Sequence, residues 1–306
     1  MSRQAALVVV PTHDHATTLS SAVHSALEQS VADLTVVIIG DGVGDDTREV
    51  ANELCRTDDR VSFLDRTKTL SRNEAARHEV VSASTAPVIT YLGDDDLFLP
   101  DHVETMQSLL VEHDFAHPYP VFIERTRGMV VVPTDLSQPD CVQWHLVDGC
   151  NAIALTGATH TRELYRRLPF GWRPPPPGHW SDHYMWRQIF AVPGVRLVTC
   201  PRSTTIKLPA VDRPSMTPQD RRDEIESWSD RSRATDFRVQ WDREVESAIR
   251  GVATERFLRA DELARKLDAD YALFLEECAW LSQKLAEVQI AFAAERDDLL
   301  QQVRGH

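Results

Sequence analysis

The chain lacks the apolar run of about 18 to 20 residues that a membrane-spanning helix needs. Its start, MSRQAALVVVPTHDH, has too short an apolar stretch for a signal peptide. The five cysteines are scattered and odd in number, and none forms a Cys-x-x-Cys pair, which argues against a disulfide framework and a structural zinc site. These absences predict a reducing, cytoplasmic location and leave peripheral attachment to a membrane open.

Positive charge is also scarce. The chain has 33 Lys and Arg against 47 Asp and Glu, for a net charge of −14. Nucleic-acid binders gain affinity mainly by neutralising phosphates, so this balance argues against that class of protein. It leaves room for a local basic pocket that binds one small anion. At 306 residues the chain can bury the core of one large domain or two smaller ones.

Short apolar segments alternate with helical periodicity over the first hundred residues. The predicted strands are residues 7–10, 34–40, 61–64 and 87–92. Because these strands are almost continuously apolar, we expect an α/β fold with a mostly parallel sheet covered on both faces. Ligands of such sheets bind beyond the carboxyl ends of the strands. Pro11, Asp41 and Asp94 follow three strand ends and should therefore lie along one edge.

The remainder is less regular, with strands predicted in both halves of 119–133 and at 151–157, 195–200 and 203–208. We expect one domain over 1–210 and a charged helical extension over 211–306. Apolar residues from Leu267 to Phe292 recur in alternating steps of four and three, a period of about 3.5. This spacing predicts a self-associating coiled coil at about 260–300; one long helix packed on its own domain is the alternative.

Three consecutive aspartates, Asp94, Asp95 and Asp96, directly follow the fourth predicted strand. Carboxylates this close repel one another unless hydrogen-bond donors or a cation relieve them. At a strand end they suit Mg²⁺ or Mn²⁺ that bridges to a diphosphate. On the residues alone, hydrogen bonding to turn amides ahead of the next helix explains them equally well.

The second predicted strand leads into glycines at positions 40, 42 and 44. A dinucleotide-binding fingerprint would need a further glycine where Asp45 stands, and it belongs to the first strand–helix unit, so it fails here. What remains is Asp41, in a glycine-flexible turn where its carboxylate can accept a hydrogen bond from a nucleobase or ribose.

Three segments in order carry a resemblance to a known family: VVVPTHDHATTL (8–19), VVIIGDGVGDDT (36–47) and AARHEVVSASTAPVITYLGDDDLFLPD (75–101). Together they resemble the amino-terminal half of family 2 glycosyltransferases, which have the nucleotide-sugar fold called GT-A. The resemblance covers about residues 5–105 and extends more weakly to about 210. It implies that Pro11 and Thr12 touch the nucleobase, with Asp14 where asparagine or glutamate is usual. It also implies that Asp41 reads the base and that Arg77 contacts the nucleotide or diphosphate.

The same resemblance gives the aspartate triplet its roles. Asp94 is expected to contact the ribose and Asp95 to hold the metal, with Asp96 sharing that task. Gly93 stands where the family usually has its first aspartate, so the assignment within the triplet is open by one position. Lys207, at the end of the predicted strand 203–208, would place positive charge near the departing diphosphate, although a solvated lysine is the alternative.

The segment HWSDHYMWRQIF (179–190) fits the place where the family has a Glu-Asp pair at the start of a helix near the acceptor. Ser181 replaces the glutamate and Asp182 matches the aspartate, which implies that Asp182 is the general base. An aspartate at this point also suits a helix N-cap. Trp172 and Trp180 lie nearby in sequence, and flat aromatic faces commonly bind sugar rings.

The expected protein is an inverting glycosyltransferase that uses Mn²⁺ or Mg²⁺ and a nucleotide diphosphate sugar, with UDP favoured, to glycosylate a carbohydrate or glycoconjugate hydroxyl. A sugar-nucleotide pyrophosphorylase has a similar sheet but opens with a glycine- and arginine-rich phosphate loop, and the segment 8–18 contains neither residue. A non-catalytic scaffold that acts through its helical tail stays open because His78, Gly93 and Ser181 depart from the family pattern.

Overall fold

The structure, a computed structural model, describes residues 5–147 and 149–304. Two compact units divide between Ile249 and Arg250. The first unit therefore continues past the boundary expected at residue 210. No helix in the described part of the chain is both long and apolar enough to span a bilayer.

Strands and helices alternate along the first unit. The strands are β1 Ala6–Thr12, β2 Leu34–Asp41, β3 Val61–Arg66, β4 Val88–Tyr91, β5 Leu97–Phe98, β6 Phe115–Pro118, β7 Val121–Glu124, β8 Gly128–Val131, β9 Thr159–Thr161, β10 Leu197–Cys200 and β11 Thr205–Ile206. The helices are α1 Ala16–Leu27, α2 Asp45–Thr57, α3 Glu74–Ala83, α4 His102–Leu109, α5 Pro139–Leu146, α6 Arg162–Arg167, α7 Ser181–Phe190, α8 Pro218–Ser232 and α9 Phe237–Arg304.

The main sheet has the strand order β10-β6-β9-β4-β1-β2-β3. Strand β1 pairs in parallel with both β2 and β4, while β9 runs antiparallel to its neighbours. The prediction of an α/β fold with a mostly parallel sheet is confirmed. Thr12 lies opposite Gly40 in the register, so the ends of β1 and β2 share one edge of the sheet.

Successive residues of β1 point to opposite faces of the sheet, and both faces are covered. Val8 and Val10 belong to a core with α1 and α2, while Leu7 and Val9 belong to a second core with α3 and α7. All four side chains are at most 3% exposed. This two-sided burial explains why the sequence of β1 is continuously apolar instead of alternating.

A third apolar cluster joins the short strands to the segment after residue 210, which was expected to be a charged helical extension. Ile225 of α8 and Trp241 of α9 pack with Leu97 of β5 and Val121 of β7. The hairpin predicted within 119–133 is confirmed as β7 and β8. Helix α8 thus belongs to the first unit, because its one buried apolar side chain completes this cluster.

The strand predicted at 151–157 is wrong. These residues form no strand, and the next one, β9, begins at Thr159. The backbone groups of this segment do not pair with a neighbouring strand but form single hydrogen bonds to separate partners. The Ile153 carbonyl accepts a hydrogen bond from the Trp186 indole at 3.3 Å, and the Gly157 amide donates to the Tyr91 carbonyl at 2.9 Å. Gly157 has a φ of +88°, which ends extended geometry there.

The apolar residues of helix α9 are buried near its start and exposed further along. Phe237, Trp241 and Val245 are buried in the first unit. In the second unit five residues of the predicted seam are at least 57% exposed, namely Leu267, Tyr271, Phe274, Leu281 and Leu285, and Cys278 between them is half-buried. The side chains of Val288 and Phe292, the last two seam positions, lie outside the described residues.

Candidate active site

A cavity of about 920 Å³ opens beyond the carboxyl ends of β1, β2 and β4. The ten residues to which the sequence analysis gave a binding, metal or catalytic role all line it: Pro11, Thr12, Asp14, Asp41, Arg77, Asp94, Asp95, Asp96, Asp182 and Lys207. The sheet topology brings these distant segments together, because parallel neighbouring strands all end at this edge. Their individual environments differ and are described in turn.

Asp41 is the last residue of β2 and is 6% exposed. Its carboxylate accepts hydrogen bonds from the Lys68 ammonium at 2.6 Å and the Thr69 amide at 3.1 Å. Burial by itself would raise the pKa of Asp41, but these donors outweigh it and lower that pKa. Gly42 makes the turn possible, since it has a φ of +65° and a Cβ there would meet the Lys68 Cβ at 2.5 Å. Asp41 is therefore held as a carboxylate at the edge of the cavity.

Asp14 and Thr12 form the neighbouring part of the wall. The Asp14 carboxylate accepts a hydrogen bond from the Gly44 amide at 3.2 Å, which ties the loop after β1 to the turn after β2. Strand β1 continues through Pro11 to Thr12, two residues further than the predicted strand 7–10. The Thr12 hydroxyl is buried and has no hydrogen-bond partner among the described residues. Buried polar atoms are almost always hydrogen-bonded, so this hydroxyl is free to bond a ligand or a water in the cavity.

Each aspartate of the triplet has its own cationic partner. Asp94 contacts His15 Nδ1 at 2.8 Å, Asp95 contacts Arg221 at 3.1 Å, and Asp96 contacts Lys207 at 2.5 Å. The repulsion expected from the sequence is thus relieved by three side chains from the β1–α1 loop, α8 and the segment after β11. The hydrogen bond to Asp94 raises the pKa of His15 to about 9.

Asp96 is an internal anchor. One of its carboxylate oxygens accepts from the Leu208 amide at 3.0 Å, and the other accepts from Lys207 and the Thr156 hydroxyl. It is 2% exposed. Both oxygens are thus engaged by protein donors, so the expected metal-binding role finds no support in this geometry.

The environment of Asp96 also explains the glycine before the triplet. A Cβ at Gly93 would lie 2.8 Å from Asp96 Oδ2, the oxygen that accepts from Lys207 and Thr156, and 3.1 Å from the Thr156 hydroxyl. The Gly93 amide donates to the same hydroxyl at 2.9 Å. An aspartate at position 93, as in the family pattern, would collide with this buried arrangement.

A divalent cation fits another part of the triplet. Ligand atoms of His15, Asp94 and Asp95 lie within 4.8 Å of one another. Two carboxylates and an imidazole are donors that divalent metals accept. Burial, followed by the charges of Asp96 and Asp94, raises the pKa of Asp95 to about 7. A cation at this point would favour the ionised carboxylate, because opposite charge stabilises it.

Asp182 lies in the first turn of α7, where Trp180 occupies the N-cap position. Its carboxylate accepts from the neighbouring His183 amide at 2.8 Å, and burial raises its pKa. The residue is therefore not the N-cap that the alternative interpretation required. A carboxylate of raised pKa that lines a cavity has the properties of a general base.

The tryptophans near Asp182 differ in environment. Trp172 is 1% exposed, and its indole donates to the Tyr91 hydroxyl at 2.8 Å, so it is a core residue. Trp180 is 57% exposed. Trp144, which the sequence analysis did not select, lines the cavity and is 47% exposed. Trp144 therefore provides an aromatic face at the cavity that Trp172 cannot.

The guanidinium of Arg77 lies 4.9 Å from the centre of the Trp172 ring. The residue is 4% exposed, and burial lowers its pKa. One nitrogen donates to the Arg72 carbonyl at 3.1 Å, while Nε has no hydrogen-bond partner among the described residues. A buried guanidinium with a spare donor at a cavity wall is suited to an anionic ligand.

Comparison with known families decides the identity of this fold and site. The model of the family described as Glycosyl transferase family 2 matches residues 7–136, which run from β1 to beyond β8 and contain the aspartate triplet. Residues 7–136 form a glycosyltransferase family 2 domain.

Characterised glycosyltransferases resemble this one over parts of their length. The GalNAc(5)-diNAcBac-PP-undecaprenol beta-1,3-glucosyltransferase of Campylobacter jejuni is 26% identical over 37% of this chain, and the match spans 36% of the relative. The UDP-Glc:alpha-D-GlcNAc-diphosphoundecaprenol beta-1,3-glucosyltransferase WfgD of Escherichia coli is 22% identical over 63% of this chain and 72% of the relative.

A solved structure extends the likeness in fold. The mannosyltransferase PcManGT of Pyrobaculum calidifontis, in complex with GDP-Man and Mn²⁺, superposes with a TM-score of 0.51 at 15% identity. It covers 84% of this chain, and the chain covers 81% of it. This likeness includes regions beyond residue 136 and supports the GT-A fold.

Besides Trp144, two residues that contact the aspartate triplet were missed by sequence reasoning. His15 follows Asp14 at the end of the first strand, so its place in a cavity-lining loop was a signal that could have identified it. Arg221 lies 126 positions from Asp95 in a charged segment with no motif. Only the packing of α8 in the folded chain reveals that Arg221 contacts Asp95.

Proposed function

We propose that this chain is an inverting, metal-dependent glycosyltransferase that moves a sugar from a nucleotide diphosphate sugar to an acceptor hydroxyl. The observation that carries the proposal is the single cavity that contains Asp41, the outer pair Asp94 and Asp95, and Asp182. The family 2 domain and the GDP-Man and Mn²⁺ complex of the mannosyltransferase support the same chemistry.

The donor is assigned to the sheet edge. Asp41 and the orphaned hydroxyl of Thr12 recognise the nucleobase, together with Pro11 and Asp14, and Asp94 accepts from the ribose. The spare donor of Arg77 binds the diphosphate. We favour UDP, which is the nucleotide in the name of the Escherichia coli relative.

Asp94 and Asp95 are the residues that fit a divalent cation. When Mn²⁺ or Mg²⁺ is bound there, it supplies positive charge that stabilises the departing diphosphate. Asp96 has a supporting role, because it anchors Lys207 beside the pair. Burial opposes the charge on Lys207, but Asp96 raises its pKa, so the ammonium persists to balance negative charge.

Asp182 performs the proton transfer. As the acceptor oxygen attacks the anomeric carbon, the Asp182 carboxylate takes the hydroxyl proton. The new carbon–oxygen bond forms on one face while the bond to the diphosphate breaks on the other, so the configuration inverts. The electron pair of the broken bond leaves with the nucleoside diphosphate.

The acceptor is proposed to be a carbohydrate or glycoconjugate. The names of both relatives include an undecaprenol-linked diphosphate sugar, which favours a lipid-linked acceptor and a cytoplasmic enzyme with peripheral attachment to a membrane. The free thiols of all five cysteines agree with a reducing location.

The second unit is proposed to self-associate through α9. Five of its seam residues from Leu267 to Leu285 keep the heptad spacing and are exposed in one chain, with only Cys278 half-buried, and a second copy would bury them in a coiled coil. Deleting residues 255–306 should lower the mass measured by light scattering. An unchanged mass would contradict the self-association and leave the transfer proposal untouched.

Nucleoside diphosphate release from a panel of sugar donors, with and without Mn²⁺, tests the enzymatic proposal. We expect metal-dependent release by the wild type, and a loss of at least about a hundredfold in Asp95→Asn. The exposed Asp268 provides the control Asp268→Asn, which should behave as wild type. Metal-dependent release that persists in Asp95→Asn, or no release with any donor, would contradict the proposal and favour a scaffold.

A further inference from the structure

His15 stands beside the carboxylate pair that the proposed function assigns to the metal. Its Nδ1 is 2.8 Å from an Asp94 oxygen, and its side chain is 40% exposed and lines the cavity. Two positions earlier, His13 also lines the cavity, but its ring nitrogen lies 3.5 Å from Asp14. The loop after β1 thus aims one histidine at the triplet and the other elsewhere.

The spacing of the three side chains suits one ion. Two ligands on opposite sides of an ion with bonds of about 2.1 Å lie about 4.2 Å apart, and adjacent ligands lie closer. The donor atoms of His15, Asp94 and Asp95 are all within 4.8 Å of one another, so small side-chain rotations would bring them together. Asp96 cannot take this place, because protein donors engage both of its oxygens.

We propose that His15 Nδ1, once it has released to solvent the proton that it donates to Asp94, is a nitrogen ligand of the cation held by Asp94 and Asp95, and that this ligand makes the site prefer Mn²⁺ over Mg²⁺. The inference rests on the proposed function only in assuming that a divalent cation binds at this pair. It adds a ligand that the aspartates alone do not provide.

The preference follows from ligand chemistry. Mg²⁺ favours oxygen donors and retains its waters. Mn²⁺ also favours carboxylates, but as a first-row transition metal it accepts an imidazole nitrogen more readily than Mg²⁺ does. A site with two carboxylates alone distinguishes Mg²⁺ from Mn²⁺ weakly. Replacing one water by imidazole nitrogen stabilises the Mn²⁺ complex more than the Mg²⁺ complex.

The variant His15→Asn tests this assignment, since the asparagine amide can still donate to Asp94 near the Nδ1 position but binds metals poorly. His13→Asn is the matched control, because it removes the other cavity histidine of the same loop. The full-length proteins are titrated with MnCl₂ and with MgCl₂, in the presence of UDP, and pulsed electron paramagnetic resonance is recorded on bound Mn²⁺.

We expect ¹⁴N coupling to bound Mn²⁺ in the wild type and in His13→Asn, and its loss in His15→Asn. The affinity for Mn²⁺ should fall about tenfold or more in His15→Asn, while the affinity for Mg²⁺ changes by less than about threefold. Wild-type Mn²⁺ without ¹⁴N coupling, or an unchanged Mn²⁺ affinity in His15→Asn, would overturn the assignment and leave His15 as a hydrogen-bond partner of Asp94.

The same titration separates this inference from the proposed function. If the wild type binds both metals without ¹⁴N coupling and still releases nucleoside diphosphate, the ligand assignment is wrong and the transferase proposal stands. If the wild type binds neither metal in the presence of UDP, both the ligand assignment and the proposed metal dependence are wrong.

Discussion

The three adjacent aspartates show that a shift of one position along the chain changes the partners of a carboxylate and therefore its role. Asp96 is enclosed by Lys207, Thr156 and the Leu208 amide, whereas Asp94 and Asp95 face His15 and the cavity. The sequence motif identified the triplet but could not order its members. That order depends on Lys207 and Thr156, which reach Asp96 from segments 111 and 60 positions away.

The tight packing around Asp96 predicts the effect of Gly93→Ala. The added Cβ would meet the Asp96 oxygen at 2.8 Å, and Asp96 cannot move without breaking its hydrogen bonds. We expect the free energy of unfolding to fall by about 1–3 kcal/mol. Gly44→Ala is the control, because its nearest contact is Asp14 at 3.5 Å. Urea denaturation measures both, and equal stability of the two variants would refute the clash.

Substitution of the proposed general base, Asp182, is expected to change catalysis and not stability. Asp182→Asn keeps the shape of the side chain but cannot accept the acceptor proton, so kcat should fall by about 10² to 10⁴-fold. Burial raises the pKa of Asp182, and the base must be ionised. Wild-type kcat should therefore decline on acidification at a pH above the ordinary aspartate range of about 4.

Steady-state kinetics of Asp182→Asn and calorimetry of UDP binding check this role together. Binding of UDP with Mn²⁺ should remain within about threefold of wild type, because Asp182 is assigned to the acceptor and not to the nucleotide. A variant with normal kcat would remove Asp182 from the mechanism. Lost UDP binding would instead place it in the donor site.

At the scale of elements, apolar strands were predictable because their pattern is local. Strands β1, β2 and β4 are buried along almost their whole length, so their almost continuously apolar sequences predicted both their existence and the parallel sheet. Residues 151–157 have the same composition, yet Ile153 packs into a core outside any strand. Tertiary contacts, which are absent from a local pattern, decided that segment.

Helix α8 gives the clearest prediction at this scale. Ile225 is fully buried in the third apolar cluster, and Arg221 reaches Asp95 from the same helix. A chain that ends at residue 210 would expose Leu97 and Val121 of this cluster and leave Asp95 without its guanidinium. We expect residues 1–249 to fold and residues 1–210 to be unfolded or aggregated.

Circular dichroism and thermal melting of the two fragments measure this difference. A cooperative transition in the fragment 1–210, within about 5 °C of that of 1–249, would show that α8 contributes little. The substitution Ile225→Ala in the full chain offers an independent measure, with an expected loss of about 2–5 kcal/mol in the free energy of unfolding.

At the scale of the whole molecule, buried histidines couple stability to pH. His102, His117 and His160 are at most 1% exposed, and burial lowers their pKa values to about 3, 3 and 4. Neutral rings suit their hydrogen bonds, such as that between His160 and the Tyr91 hydroxyl at 2.8 Å. In the unfolded chain their ordinary pKa is 6.5. The folded protein therefore resists protonation over a window in which the unfolded chain accepts it.

The sign of the resulting pH dependence follows directly. Above about pH 6.5 neither state binds these protons, so the free energy of unfolding is unaffected by them. As the pH falls towards 4, the unfolded chain is stabilised by about 1.4 kcal/mol per pH unit for each histidine, or about 4 kcal/mol per unit for the three. Asp95, whose pKa is raised to about 7 in the folded protein, acts in the opposite direction and offsets about one histidine's share. Total stabilities are about 5–15 kcal/mol, so we expect acid unfolding between about pH 4 and 5.5.

Urea midpoints should therefore drop clearly from pH 7.5 to 5.5. His160→Gln should show a shallower pH dependence than the exposed control His24→Gln, and equal midpoints at the two pH values in the wild type would contradict the coupling.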